Sequence, residues 1–167
     1  CCTDHTPGFG SSAKYVATTV QEIIRDSTVY SIDSVTIIEI MGRHAGWLTA
    51  STCVLRVNGE TAPHLIYLPE GKFSVEKFLD DIKDQRALHK AVIVVVSEGI
   101  SLPEDTSKET LVDNFGHKYL SGVGKRLENI VREEMHCKVR SIELNVMQRC
   151  SSHLCSKTDI DEAVSIG

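Results

Sequence analysis

The chain has 167 residues, a hydrophobic share of 41%, a charged share of 25% and a formal net charge of −5. That is enough for one domain with a real core, and too apolar for an intrinsically disordered chain. No overall basic field would draw nucleic acid or an anionic membrane, so an anionic ligand has to be met by individually placed arginines.

Cys1, Cys2, Cys53, Cys137, Cys150 and Cys155 show no C-x-x-C spacing, and their density is below that of a disulfide scaffold. They are expected to be free thiols in a cytoplasmic protein, with no metal site. The longest apolar run, Ala91 to Val96, is far too short for a membrane span, and no signal peptide is visible. The chain opens on Cys1-Cys2 without Met and closes on Ser165-Ile166-Gly167 in a helical pattern, so both ends read as cut.

Residues 3–12 are polar and rich in Gly and Pro, which predicts a loop. Asp4 and His5 in it are more commonly helix caps or turn-bonding residues than catalytic groups. From Ser12 to about Tyr30, Ala13, Val16, Ala17, Val20, Ile23 and Ile24 form a helical stripe. Val35 to Ile40 follows, with five β-branched residues in six, the composition of a strand covered on both faces. Met41-Gly42-Arg43-His44-Ala45-Gly46-Trp47 then breaks the strand and opens a helix predicted over Ala45–Arg56, with Ala45, Leu48, Thr52 and Leu55 on one face. Trp47 can stack on a sugar, but a lone Trp more often packs in a core or an interface.

Leu65–Glu70 reads as a short strand stopped by Pro69. Ser74 caps a predicted helix to about Leu88, with Val75, Phe78, Leu79 and Ile82 as its buried stripe. Ala91–Ser97 is a second buried strand, closed by Glu98-Gly99 as the first is closed by Met41-Gly42. Ser101–Asn114 reads as a solvated loop. Gly116–Met135 carries Leu120, Val123, Leu127, Ile130 and Val131 at helical spacing. Lys138–Leu144 is a third long strand, with Arg140 near its start. Asn145–His153 forms a turn bearing Gln148 and Arg149, and Thr158-Asp159-Ile160-Asp161 looks like a capping-box helix start.

Strands alternating with helices predict an α/β fold with a doubly wound, mostly parallel sheet. The carboxyl ends of parallel strands share one edge, where ligands of such sheets bind, so Met41, Glu98 and Gln148-Arg149 are expected to converge. Each arginine taken alone is better explained by a surface ion pair.

Four segments taken together resemble the 6-phosphofructokinases in collinear order. They are Thr3-Asp4-His5-Thr6-Pro7-Gly8-Phe9-Gly10, Met41-Gly42-Arg43-His44-Ala45-Gly46-Trp47, Val95-Val96-Ser97-Glu98-Gly99, and Arg140 through Gln148-Arg149. The resemblance runs over essentially the whole chain. It implies a phosphofructokinase-like, Rossmann-like three-layer sandwich, incomplete at both ends, and an internal fragment of a longer kinase. Residues 1–34 would lead in from the donor half, 35–147 would form the fructose 6-phosphate-binding subdomain, and 148–167 would return toward the donor half.

The implied reaction is phosphoryl transfer from ATP or pyrophosphate to the 1-hydroxyl of fructose 6-phosphate, in glycolysis. Met41, Gly42, Arg43, Glu98, Arg140, Gln148 and Arg149 match the family's substrate contacts. Arg43 is the catalytic candidate, steadying the phosphoryl group in flight. Arg140 would reach a neighbouring subunit's sugar in a homodimer or homotetramer. The general base, the glycine-rich donor loop and the carboxylates for Mg2+ would lie outside this chain. Two positions depart from the family pattern. Ser34 stands where many members place a second cross-subunit cation, and Val146 stands where many bacterial relatives have His. The competing reading is a non-catalytic sugar-phosphate-binding or regulatory domain, or a structural subunit of a hetero-oligomeric kinase.

Overall fold

A computed structural model describes residues 6–102 and 122–167. Asp4, His5 and Leu120, and the predicted loop beyond Leu102, lie outside the described residues.

Strand β1, Ser34–Ile40, runs inside a sheet that has four parallel strands among the described residues. Across the sheet the order is β2 (Leu65–Tyr67), β3 (Ala91–Ser97), β1, β4 (Lys138–Glu143). β-branched side chains suit β1 and β3 because both are covered on two faces, and every residue from Val35 to Ile40 and from Val92 to Ser97 is buried. The alternation of side chains divides the core. Val35 and Ile37, with Val92, Val94 and Val96, pack toward helices α4 (Val75–Leu88) and α5 (Val123–Glu134) through Phe78, Ile82, Leu127 and Val131. Ile38, Ile40, Ile93 and Val95 pack against Val16, Val20 and Ile24 of helix α1, Phe9–Thr28. The result is the expected three-layer α/β arrangement.

Register makes the strand ends flush. Ser34 pairs with Ala91 and Lys138, Ile40 with Ser97, and Glu39 with Glu143. Met41, Glu98 and Leu144 therefore leave the sheet along one edge.

Several elements differ from the sequence expectation, and β2 already ends at Tyr67. Helix α1 begins at Phe9, inside the predicted loop, because its capping group arrives from a distant part of the chain. Asp159, in the first turn of α6 (Lys157–Ile166), accepts the backbone N–H groups of Gly8 and Ser11 at 2.9 and 2.6 Å and the Ser11 hydroxyl at 2.5 Å. The N-cap of α6 is Ser156, without a side-chain bond, and not Thr158 as the capping-box pattern predicts, while Asp159 caps α1. The helix expected over Ala45–Arg56 is two short ones, α2 (Trp47–Ser51) and α3 (Val54–Val57), with Ala45 exposed ahead of them. At the break, the Thr52 hydroxyl donates to the Thr49 carbonyl at 2.7 Å, the local competition by which Thr interrupts helices. The turn after β4 is a pair of 3-10 segments, Asn145–Arg149 and Ser152–Leu154.

Candidate functional site

The loop from Met41 to Gly46 is held by side chains from three other parts of the chain. Gln148 Oε1 accepts the Met41 N–H at 3.1 Å, and Glu98 Oε1 accepts the Gly42 N–H at 3.2 Å. The Ser97 hydroxyl donates to the Gly42 carbonyl at 2.6 Å, and Glu70 Oε1 accepts the Gly46 N–H at 2.8 Å. The Glu98 N–H closes the edge by donating to the Ile40 carbonyl at 2.9 Å.

Two glycines make this approach possible. Gly42 has φ 145°, a conformation that side chains disfavour, and a Cβ there would sit 2.6 Å from the Ala45 carbonyl oxygen. A Cβ on Gly99 would sit 2.1 Å from the Arg43 carbonyl oxygen. The two strand-end loops thus touch backbone to backbone.

Of the seven residues expected at the site, Met41, Gly42, Glu98 and Gln148 are joined directly by these bonds. Arg43 and Arg149 are their chain neighbours on the same edge, and neither guanidinium has a hydrogen bond or ion pair among the described residues. Gln148 is 2% exposed, and both ends of its amide are engaged, since its Nε2 donates to the Asn145 carbonyl at 2.8 Å. Asn145 turns the chain at φ 46° to allow this. Trp47 does not lie in the core. It is 72% exposed beside the loop, and Val146 is also exposed.

Arg140 is elsewhere. It pairs in register with Thr36, five residues before Met41, which puts it roughly 17 Å from the site edge at the strand rise. Its Nε donates to Thr36 Oγ1 at 3.1 Å, and its Nη2 to Asp26 Oδ2 and Ser27 Oγ at 2.9 and 2.8 Å. With Ser27, Tyr30, Ile32, Ser34 and Lys138 it lines a pocket at the opposite edge of the sheet. Ser34, the departure noted from the sequence, therefore neighbours Arg140 and not Arg43.

A buried carboxylate lies just behind the site edge. Glu39, 5% exposed, accepts the Gly124 N–H at the start of α5 at 2.6 Å. Burial pushes its carboxyl above the usual range. The amides of Gly124 and Gly122 pull the other way, and the negative charges of Glu143 and Glu98 add to the rise. Among the described residues no group of His, Cys, Asp and Glu is arranged to hold a metal ion.

Compared with known proteins, residues 1–160 match the sequence model of the phosphofructokinase family. The chain belongs to that family. It is 34% identical to a pyrophosphate–fructose 6-phosphate 1-phosphotransferase of Halomonas elongata, over 99% of this chain and 40% of the relative. It is 35% identical to a sulfofructose kinase of Alkalicoccus urumqiensis, over 98% of this chain and 42% of the relative. The crystal structure of a pyrophosphate-dependent phosphofructokinase from Marinobacter aquaeolei superposes with a TM-score of 0.76 at 32% identity, covering 94% of this chain and 36% of that one. The chain thus spans about two fifths of the length of the curated relatives it matches.

Within this phosphofructokinase chain, Ser97, Glu70 and Glu39 are not among the site residues that the sequence singles out. Glu39 had a detectable signal, a carboxylate inside a β-branched strand that has no water to solvate it. Ser97 had a fainter one, a hydroxyl ending the apolar run Val92–Val96. Glu70 had none, because its partner Gly46 lies across a loop.

Proposed function

We propose that this chain is the acceptor-binding part of a longer cytoplasmic kinase, which transfers a phosphoryl group from ATP or pyrophosphate to the 1-hydroxyl of fructose 6-phosphate in glycolysis. The observation that carries the reading is the hydrogen-bonded joining of Met41, Gly42, Glu98 and Gln148 at one sheet edge, with Arg43 and Arg149 beside them.

Phosphoryl transfer asks the protein for positioning and charge stabilisation. Glu98 is an acceptor for sugar hydroxyls and Gln148 fixes the Met41 amide beneath the sugar. Arg149 grips the resident 6-phosphate, two oxygens at a time. Arg43 steadies the charge on the phosphoryl group in flight, an interaction made in the transition state. Arg140, from the other edge, completes the site of a neighbouring subunit in a homodimer or homotetramer. Mg2+ bound with the donor would supply further charge neutralisation, from residues of the parent protein outside this chain.

Steady-state kinetics on the full-length parent tests this, with each donor against fructose 6-phosphate and against its 6-sulfonate analogue. Arg43→Ala is expected to lower kcat about 100-fold or more while KM for the sugar changes less. An unchanged kcat refutes the role of Arg43. A parent that binds the sugar phosphate but turns over with neither donor is a binding module, and faster turnover of the sulfonate moves the substrate to the sulfosugars.

A further inference from the structure

We infer that Ser97 is a positioning residue for the Arg43 loop; this rests on the function proposed above and adds a residue to it. Its side chain is fully buried at the end of β3, and its hydroxyl donates to the Gly42 carbonyl at 2.6 Å. The same oxygen accepts the Gly99 N–H at 3.4 Å, so one hydroxyl ties both strand-end loops together.

The consequence for Arg43 comes from peptide geometry. The Gly42 carbonyl and the Arg43 N–H belong to one rigid plane, so fixing the carbonyl fixes where the Arg43 Cα begins. Gly42 is the residue least able to hold that plane by itself. At φ 145° it has no side chain to restrict ψ, and a glycine backbone has several wells of similar energy. Glu98 restrains the other side of Gly42 through its N–H, but Glu98 is itself proposed to turn to the sugar. Ser97 is sealed from any ligand by burial, so its restraint persists through the catalytic cycle. Without the hydroxyl the Gly42 carbonyl loses this partner, and rotation of the 42–43 peptide toward another becomes favourable. A shift on the order of 1 Å in a reacting group costs up to about 100-fold in rate.

The test compares Ser97→Thr with Ser97→Val in the full-length parent. The two substitutions introduce side chains of the same shape and differ only in the hydroxyl, so packing effects cancel. S97T is expected to keep kcat within about three-fold of the unsubstituted parent. S97V is expected to lose about 10- to 100-fold in kcat, with KM for fructose 6-phosphate within about three-fold. Ser97→Ala, which removes the hydroxyl without adding volume, should fall with S97V, and thermal unfolding shows that all three are folded. Equal kcat in S97T and S97V overturns the inference, as does a loss confined to KM. An unsubstituted parent inactive with both donors overturns the function itself, and this inference with it.

Discussion

His64 illustrates how one residue couples the fold to pH. Its Nδ1 accepts the Ile93 N–H at 2.9 Å, which requires that nitrogen to be unprotonated. Burial, the ring of His89 at 4.3 Å and the nearby Arg56 charge all disfavour the imidazolium, and the pKa falls from 6.5 to about 4. A lowered folded-state pKa means that between those values the unfolded chain takes up a proton that the folded chain refuses. The His64 contribution to stability is therefore full above pH 6.5 and declines as pH falls toward 4. The expected loss is on the order of 2–3 kcal/mol, read from denaturant midpoints across that range. His64→Asn keeps an acceptor for Ile93 but cannot titrate, and its midpoint should be flatter with pH. At the same scale, Glu128 shows how a buried charge is stabilised. Burial raises its carboxyl, but bonds from Ser141 and Lys125 and the charges of Lys125 and Arg132 outweigh this and bring it below the usual range. Its carboxylate accepts from Lys125 at 3.0 Å, from the Ser141 N–H at 3.1 Å and from Arg132.

At the scale of elements, the long helix α1 depends on a residue of α6. Its first turn holds no acidic side chain and its N-cap, Gly8, offers no side-chain acceptor. Asp159 supplies both missing features, accepting two backbone N–H groups and placing negative charge at the positive end of the helix dipole. Asp159→Ala should destabilise the protein by about 1–2 kcal/mol, and Asp159→Asn by less, because the amide keeps one acceptor. Calorimetric unfolding of the two variants checks this; equal stability of all three proteins would show that α1 holds its first turn unaided. Local signals were sufficient for β1, β3 and α4. Their apolar runs and the Ser74 cap are written in adjacent residues, and the Ser74 hydroxyl does accept the Lys77 N–H at 3.3 Å. They were insufficient for the start of α1, where the deciding bonds come from Asp159 about 150 residues away, and for the break at Thr52, where a side-chain bond competes with helical periodicity.

Across the whole molecule, the candidate residues divide between two edges of one sheet. Met41, Gly42, Glu98 and Gln148 meet at the carboxyl edge, and Arg140 lines a pocket at the other. If Arg140 serves a neighbouring subunit, mixing Arg43→Ala and Arg140→Ala parents should recover activity that neither has alone. Each hybrid dimer would hold one site carrying both substitutions and one carrying neither. Recovery would be followed by turnover after mixing and subunit exchange; its absence in proven hybrids would assign Arg140 to its own chain. The isolated 167-residue chain is expected to show no kinase turnover, which a direct assay with both donors checks.

The sequence by itself determined the parallel α/β class, the two central strands and the order of motifs, because β-branched runs and helical stripes are local consequences of which faces are covered. It also placed Met41, Glu98 and Gln148 at strand ends, and flush register then brought those ends together. Only the tertiary structure decided that Gln148 is buried and committed at both ends, that Arg140 faces the opposite edge, and that Ser97 and Glu70 hold the Arg43 loop. Those facts depend on register, on backbone–backbone contact at Gly42 and Gly99, and on hydrogen bonds between residues dozens of positions apart. No periodicity records such contacts.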